Sequence, residues 1–322
     1  MSTDARLILH SIFNRFKQMR YQSVPGVMCI KSDRPGPIVG ITACTHGNEP
    51  SGLAVLEFLL GEKNIDKELK CGTLFLVVNN IRATERFFNA LNEEEVHASR
   101  YCDINMNRLP KDALEKSNDS QYEVRRTNEL YPIWKQFEYG LDIHSTLDVS
   151  DPMIISRGGD FYADLVHGFP IKTLISNIDK VQIGTPAFAF YGGIESKTKV
   201  FAIEVGQHSN LSSFKRATEC TTALLKNLGM LSSTQTAGSM EYDEYYIDSS
   251  ILFPDISFDF IKNFKPFDKV SQGDLLAVNK NGKEIRAPFD GHLIMPTSRR
   301  GAEKDISEEV AFLSRQVTVK RA

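Results

Sequence analysis

Residues 38–61 read IVGITACTHGNEPSGLAVLEFLLG, and this stretch decides the fold class of the chain. Its first six residues, Ile38 to Ala43, form an apolar run after a Pro-Gly-Pro turn, which predicts a buried strand. Pro50 to Leu60 has leucines at helical spacing, and Gly61 suits a C-terminal cap. Four more largely apolar segments predict buried strands: residues 74–78, 141–143, 153–155 and 200–205. A long helix is predicted from Ser212 to Leu228, and this alternation of strands and helices predicts an α/β fold.

The composition changes after Ser232. Residues 232–239 are small and polar, as in a linker, and beyond them the sequence predicts short strands joined by turns. Asn281-Gly282 and Asp290-Gly291 both predict hairpins. We therefore predict two domains, a larger α/β domain at residues 1–235 and a smaller β-rich domain at residues 236–322.

The overall composition excludes several classes of protein. The net charge of the 322 residues is −3, with acids and bases interspersed, so neither a nucleic-acid-binding stripe nor a polybasic membrane patch is expected. No apolar run reaches 18 residues, so no membrane span is predicted. The N-terminus lacks the apolar core of a signal peptide, and the odd number of cysteines, five, favours free thiols. These features predict a cytoplasmic protein.

Polar side chains follow two of the predicted strands in a pattern typical of a metal site. His46 and Glu49 lie at the turn between the first strand and its helix, where Gly47 is expected to give the backbone freedom to bend. His144 ends another strand, and Asp142 is a candidate to orient its imidazole. Two histidines and one glutamate form a known catalytic zinc set. A His-x-x-Glu pair and a single histidine are each common in proteins, so the prediction depends on the three side chains lying together at the carboxyl ends of the strands.

Two further segments carry candidate chemistry. Glu204 lies at the end of an otherwise apolar strand, where burial of an unpaired carboxylate is unfavourable. It is therefore either a general base near the metal or the partner of a structural cation. Residues 100–108, RYCDINMNR, contain two arginines. They are suited to bind a substrate carboxylate or to stabilise an oxyanion; the alternative is that they lie in a solvated surface loop. A Cys44–His46 nucleophilic pair is conceivable, but no third partner is evident, and a small buried cysteine is favoured.

Taken together, these segments resemble the succinylglutamate desuccinylase/aspartoacylase family, which has a zinc carboxypeptidase-like fold. The matching pieces occur in the family's order: His46-Gly-Asn-Glu49, residues 100–108, Leu-Asp-Ile-His144 and Ile-Glu204-Val-Gly. The resemblance implies a mixed sheet flanked by helices, with the smaller C-terminal β-rich domain shaping the entrance to the site. It also implies that His46, Glu49 and His144 bind one zinc ion per subunit.

The resemblance also implies roles for the remaining residues. Glu204 matches the general base, Arg100 the residue that polarises the scissile carbonyl, and Asn107 with Arg108 the holders of a substrate carboxylate. Many family members carry aspartate at the position of Asn105, and aspartoacylases carry a further arginine at that of Ile194. A family tyrosine from the C-terminal domain has three candidates: Tyr242, Tyr245 and Tyr246.

The resulting functional prediction is a zinc-dependent amidohydrolase that cleaves a small N-acyl amino acid. N-succinylglutamate is the favoured substrate, with succinate and glutamate as products, as in arginine catabolism. The alternatives are an aspartoacylase-like deacylase of another N-acyl amino acid, a metallocarboxypeptidase, and a non-catalytic binding protein on the same fold. The sequence leaves the oligomeric state open, a homo-oligomer included.

Overall fold

A large mixed sheet organises the fold in the computed structural model, which describes residues 3–116, 118–146, 149–157, 162–193, 198–232, 240–297 and 308–321. The α-helices are α1 (Thr3–Phe16), α2 (Ser51–Leu60), α3 (Ile65–Glu68), α4 (Ile81–Asn89), α5 (Glu93–Ala98), α6 (Tyr122–Trp134), α7 (Ala163–Val166), α8 (Ile178–Val181) and α9 (Leu211–Asn227). Short 3-10 helices occupy Ala113–Glu115 and Ala187–Phe190. The strands are β1 (Arg20–Tyr21), β2 (Val24–Pro25), β3 (Val27–Lys31), β4 (Ile38–Ala43), β5 (Thr73–Val78), β6 (Tyr139–Thr146), β7 (Met153–Ser156), β8 (Thr173–Ser176), β9 (Lys199–Gln207), β10 (Glu241–Ile251), β11 (Phe258–Phe260), β12 (Lys269–Val270), β13 (Leu275–Asn279), β14 (Glu284–Arg286), β15 (Gly291–Ile294) and β16 (Ala311–Arg321).

Within the described residues, the large sheet has eleven strands in the order β12-β15-β16-β10-β8-β7-β9-β6-β4-β5-β3. Strands β5, β4, β6 and β9 are parallel neighbours, whereas β3 runs antiparallel to β5, and β7 runs antiparallel to β9 and parallel to β8. The predicted mixed sheet is therefore confirmed. The five apolar runs of the sequence became β4, β5, β6, β7 and β9.

Helices cover both faces of this sheet. In β5, Leu74 and Leu76 pack in one apolar cluster with α1, α2 and α9, whereas Phe75 and Val77 pack in a second cluster with α6. Because successive side chains of a strand point to opposite faces, the two clusters lie on opposite sides of the sheet. Burial on both faces explains why the central strands are largely apolar in sequence.

The C-terminal segment is rich in strands, as predicted, but most of them extend the large sheet. Strand β10 pairs in parallel with β8, and β16 joins β10 to β15. A separate antiparallel sheet has the order β11-β13-β14, and its apolar side chains share a third cluster with residues of β10, β12, β15 and β16. The domain boundary predicted at residue 235 falls in residues 233–239, which lie outside the described residues.

The two hairpin predictions had different outcomes. Asn281-Gly282 does connect the antiparallel pair β13 and β14, with Gly282 at a φ of 78°. The prediction for Asp290-Gly291 is wrong, because β14 pairs with β13 while the following strand, β15, pairs with β12 and β16. That dipeptide marks a crossing from one sheet to the other. No helix in the described part of the chain is long and apolar enough to cross a bilayer.

Candidate metal centre

The ends of three parallel strands bring the predicted site residues to one edge of the sheet. Ala43, the last residue of β4, pairs with Ile143, and His144 pairs with Glu204 across β6 and β9. The turn that carries His46 and Glu49 follows β4 directly, so all four side chains meet where the carboxyl ends of the strands lie together.

A close backbone approach shapes the turn after β4. A Cβ atom on Gly47 would lie 2.3 Å from both the carbonyl carbon of Ala83 and the carbonyl oxygen of Ser99. The Gly47 N–H donates to the carbonyl of Arg100 at 2.8 Å. Gly47 is therefore required by contact rather than by a left-handed conformation, which Cys44 adopts instead at a φ of 55°. The expected reason for this glycine was wrong, although the bend itself is present.

Two imidazoles and one carboxylate converge in this turn. The Nδ1 atom of His46 lies 2.8 Å from Oε1 of Glu49, and the Nδ1 atom of His144 lies 2.8 Å from Oε2 of the same carboxylate. One ligand atom from each of the three residues falls within 4.8 Å of the others. The three side chains are at most 4% exposed, so water does not screen their charges.

The outer nitrogens of both imidazoles are already in use. Nε2 of His46 lies 2.9 Å from Oδ1 of Asn105, and Nε2 of His144 lies 2.9 Å from Oδ2 of Asp142. Both partners are acceptors, so each Nε2 carries a proton, and a deprotonated Nδ1 on either ring would direct its lone pair towards the Glu49 carboxylate. In the metal-free centre a proton can bridge each of these 2.8 Å contacts, and a divalent cation coordinated by all three groups would displace it. Two imidazole nitrogens and a carboxylate oxygen are a donor set that zinc prefers, so the residues fit the metal.

The charges within the site favour an ionised Glu49. Burial opposes its ionisation, but His46 and His144 hold its pKa well below the ordinary value. Burial and the cation of Arg100 lower the pKa of His46. Burial acts in the same direction on His144, but the carboxylates of Asp142 and Glu49 outweigh it and raise the pKa of this imidazole well above its ordinary value.

A buried network fixes Asp142 beneath His144. Its Oδ1 atom accepts hydrogen bonds from the hydroxyls of Thr42 at 2.7 Å and Thr45 at 2.8 Å. Asn79 and Tyr191 continue the network, because the Asn79 amide donates to Thr45 and the Tyr191 hydroxyl donates to Thr42. Asp142 thus orients the imidazole, as the sequence suggested.

Two candidate catalytic side chains border the three ligands. Arg100 donates from Nη1 to Oε1 of Glu49 at 2.8 Å, and its side chain is 38% exposed. Glu204 is buried, and its Oε2 atom has no hydrogen-bond partner among the described residues. Burial and the charge of Glu49 raise the pKa of Glu204 to about 8, although His144 and Arg100 act in the opposite direction. This is the environment of a carboxyl group that exchanges a proton near neutral pH.

Asn107 and Arg108 lie beside the centre, and some of their polar atoms already form hydrogen bonds within the protein. The Oδ1 atom of Asn107 accepts from the backbone of Ala187 at 3.1 Å, which leaves its NH₂ group for another acceptor. Arg108 donates from Nε and Nη2 to Oε2 of Glu309, both at 2.8 Å. A cavity of about 310 Å³ opens here, lined by Tyr101, Asp103, Ile104, Asn105, Arg108, Gln121, Ile183 and Glu308.

Sequence reasoning missed three glutamates that hold this region. Glu123 of α6 is fully buried and accepts from the backbone amides of Cys102 at 2.6 Å, Asp103 at 3.0 Å and Ile104 at 3.2 Å. Glu309 holds Arg108, and Glu308 accepts from Asn105. No local signal distinguishes these residues from surface acids, because their partners are distant in the chain.

The tyrosine candidates of the C-terminal segment make contacts away from these ligands. The Tyr242 hydroxyl donates to the carbonyl of Val166 at 2.9 Å, and the Tyr245 ring packs against Phe267 and His292. Tyr246 is 45% exposed. Ile194, at the position of the aspartoacylase arginine, lies outside the described residues.

Cys44 does not have the properties of a nucleophile. It is fully buried in the apolar cluster with α2. Burial raises the pKa of its thiol to about 12, so the thiol stays protonated at neutral pH. A structural cysteine is therefore the better interpretation.

His208 contacts Ser145, the residue that follows His144 in β6, and leads to a testable pH effect. Its Nδ1 atom lies 2.9 Å from the Ser145 hydroxyl, and burial lowers its pKa to about 4. Because this pKa is below the unfolded value of about 6.5, the unfolded chain takes up the proton first. Stability from the neutral imidazole is complete above pH 6.5 and is lost as the pH falls towards 4.

We expect the melting temperature of the wild type to fall more steeply between pH 6.5 and 4 than that of His208→Gln. Thermal unfolding at several pH values measures this, with His10→Gln on α1 as the matched control. A pKa near 6.5 for His208 in an NMR titration would contradict the prediction.

Comparison with known proteins agrees with this geometry. Residues 35–178 match the model of the succinylglutamate desuccinylase/aspartoacylase catalytic domain. Over this segment the chain matches the succinylglutamate desuccinylase/aspartoacylase family, which confirms the resemblance found in the sequence. The members of this family are zinc-dependent deacylases of N-acyl amino acids, and the matched residues contain His46, Glu49 and His144. Glu204 lies beyond the matched segment.

Solved structures show that the similarity in fold extends over almost the whole chain. Succinylglutamate desuccinylase from Vibrio cholerae has a TM-score of 0.68 at 15% identity, over 91% of this chain and 89% of that one. The enzyme from Vibrio parahaemolyticus has a TM-score of 0.63 at 14% identity, with the same coverage. Murine aminoacylase 3 has a TM-score of 0.60 at 21% identity, over 90% of this chain and 98% of its own. No curated protein matches by sequence.

Proposed function

We propose that this deacylase hydrolyses the amide bond of a small N-acyl amino acid at a single zinc ion held by His46, Glu49 and His144. The observation that carries the proposal is the convergence of two imidazole Nδ1 atoms and one carboxylate beside a buried oxygen of Glu204 that has no hydrogen-bond partner among the described residues. Bound zinc would lower the pKa of a water molecule to about 7 and polarise the scissile carbonyl.

The protein side chains would then share the proton transfers and the charge stabilisation. Glu204 takes a proton from the attacking water and returns it to the leaving amine, a task that suits a carboxyl group with a raised pKa. Arg100 reaches the same carboxylate as the two imidazoles, so its remaining N–H groups can stabilise the negative charge that develops on the carbonyl oxygen.

Asn107 and Arg108 would hold a carboxylate of the substrate. A guanidinium has five N–H groups. Those of Arg108 donate to Glu309, the Asn107 carbonyl and Gln182, and the remaining Nη2–H has no acceptor among the described residues, so it would be available to the substrate. Together with the free NH₂ of Asn107, this proton forms a two-point contact for a carboxylate. Glu309 would fix the plane of the guanidinium.

N-succinylglutamate, yielding succinate and glutamate, is our proposed substrate. The motif of residues 100–108 supports this choice of substrate, as does the presence of two arginines beside the site, since N-succinylglutamate carries carboxylates that arginines bind. The broader class comprises other N-acyl amino acids, such as the substrates of an aspartoacylase-like deacylase.

A substrate panel tests this proposal. Metal-replete protein is incubated with N-succinylglutamate, N-acetylglutamate, N-acetylaspartate and a dipeptide that ends in glutamate, and the released amine and acid are identified. We expect turnover of at least one N-acyl amino acid, with N-succinylglutamate the best, and none in Glu204→Gln. Cleavage of the dipeptide alone would instead support a metallocarboxypeptidase. Binding without turnover of any compound would support a non-catalytic protein.

A further inference from the structure

Glu308 connects the C-terminal segment to the metal centre. It lies three residues before β16, and its Oε1 atom accepts from Nδ2 of Asn105 at 2.8 Å. The oxygen of the same amide lies 2.9 Å from Nε2 of His46. A carboxylate, an amide and an imidazole thus form a continuous chain that ends at a candidate metal ligand.

The direction of each hydrogen bond in this chain is fixed by a third contact. The backbone N–H of Asn107 donates to Oδ1 of Asn105 at 2.8 Å, so this atom is the amide oxygen and the NH₂ group faces Glu308. The amide oxygen then accepts the Nε2 proton of His46. The imidazole therefore presents Nδ1 as its lone-pair nitrogen, as coordination requires.

The charge of Glu308 is expected to be transmitted along this chain. Burial opposes its ionisation, but Arg100 and Arg108 hold the pKa of Glu308 below its ordinary value, so it is anionic at neutral pH. An anion that accepts from an amide NH₂ polarises the amide and makes its oxygen a stronger acceptor. A stronger acceptor at Nε2 makes the imidazole a better donor to a metal.

The two imidazoles therefore differ in how a carboxylate reaches them. His144 contacts Asp142 directly, at 2.9 Å. His46 does not contact the carboxylate of Glu308 directly, because the neutral amide of Asn105 lies between them.

We propose that Glu308 is a positioning residue that strengthens metal binding through Asn105 and His46. The inference rests on the proposed function only in that a divalent ion binds at His46. It assigns to the C-terminal segment a role in the metal site itself, in addition to any role at the entrance.

The zinc affinity of the full chain tests the proposal, measured by competition with a chromophoric chelator. Glu308→Gln keeps the size and an acceptor oxygen but removes the charge. Loss of a partner that contacts the ligand directly costs roughly 10- to 100-fold in affinity. Glu308 acts through one intermediate, so we expect a loss of about 3- to 10-fold, at or below the lower end of that range.

Exchanging the carboxylate and the amide between residues 105 and 308 distinguishes an electrostatic role of Glu308 from a role in packing alone. Asn105→Asp places two carboxylates side by side and should weaken zinc binding by a similar factor, because like charges repel. In the double variant Asn105→Asp/Glu308→Gln, the new amide donates to the new carboxylate, which contacts His46 directly. We expect its zinc affinity to return to within about threefold of the wild type, whereas a packing role predicts additive losses.

Glu309→Gln is the matched control, because it removes the neighbouring charge from Arg108 and leaves the Asn105 contact intact; its zinc affinity should stay within about twofold. Unfolding curves of the metal-free variants show whether each one folds, and the NMR signal of the His46 Nε2 proton reports the same chain directly. Unchanged zinc affinity in Glu308→Gln, or strictly additive losses, would overturn the inference. Normal zinc binding without hydrolysis would refute only the proposed function.

Discussion

Removal of the metal with a chelator is expected to abolish hydrolysis, and added zinc is expected to restore it. Two imidazole nitrogens and the carboxylate of Glu49 meet in a buried space, and they form a donor set that a divalent cation would occupy. A catalytic metal supplies several kcal/mol of transition-state stabilisation. Each 1.4 kcal/mol is a factor of ten in rate, so we expect a loss of roughly 10³-fold or more.

Metal binding should also stabilise the folded protein. An ion that binds only the folded state adds about 2.7 kcal/mol at a free concentration 100 times its dissociation constant. The melting temperature of the stripped protein should therefore fall, and metal analysis should give about one zinc ion per chain in the replete form.

Variants of two histidines make this test specific. His144→Ala removes a candidate ligand and should lose both the ion and the activity. His10→Ala removes an imidazole that stacks on Phe88 in the packing of α1, and should retain both. Full turnover by protein shown to be free of metal would end the case for a catalytic ion.

The sequence was sufficient to predict the sheet and the convergence of three candidate metal ligands, because the signals for both are local. Strands β4, β6 and β9 are buried on both faces, so each appears as a largely apolar segment that leads to a polar residue. Parallel neighbours bring such ends together, which is why His46 and His144 were predictable without knowledge of any contact.

The residues that support the site could not be found in this way. Glu123 is fully buried, yet a glutamate in the first turn of a helix usually faces solvent. Glu308 and Glu309 contact residues 203 and 201 positions away in the chain. Their local sequence is that of a solvated acidic turn, and only tertiary packing distinguishes the two cases.

The same limit applies to the strands of the C-terminal segment. Alternation of apolar and polar residues indicates which face of a strand is buried, but not which strand lies beside it. Strand β10 alternates clearly between exposed and buried residues, yet its parallel partner is β8 of the preceding segment. The failed prediction at Asp290-Gly291 has the same origin, because hydrogen bonds to distant strands decided the pairing.

Glu204→Gln should lower kcat by about 10²- to 10⁴-fold, the usual contribution of a general base. The amide keeps the shape of the side chain but cannot accept the proton. Because Glu204 is not among the three ligands, metal content should stay unchanged.

The pH dependence gives this prediction a second readout. The pKa of Glu204 is raised to about 8, and a nearby divalent cation would lower it, since positive charge favours the carboxylate. A general base works in its ionised form, so kcat/KM of the wild type should rise with pH and level off below pH 8. The residual activity of Glu204→Gln should lack this rise.

Glu138→Gln provides the matched control for this substitution. Glu138 accepts from the backbone of Ile38, at the edge of the sheet opposite to the site, and a glutamine there keeps an acceptor oxygen. Its kinetics should match those of the wild type. If Glu204→Gln retained full zinc content and a kcat within a few-fold of the wild type, the proton would have to be carried by another group, and the proposed role of Glu204 would be wrong. A large loss in Glu204→Gln alone would instead locate the proton transfer at the end of β9, opposite His144 in the register.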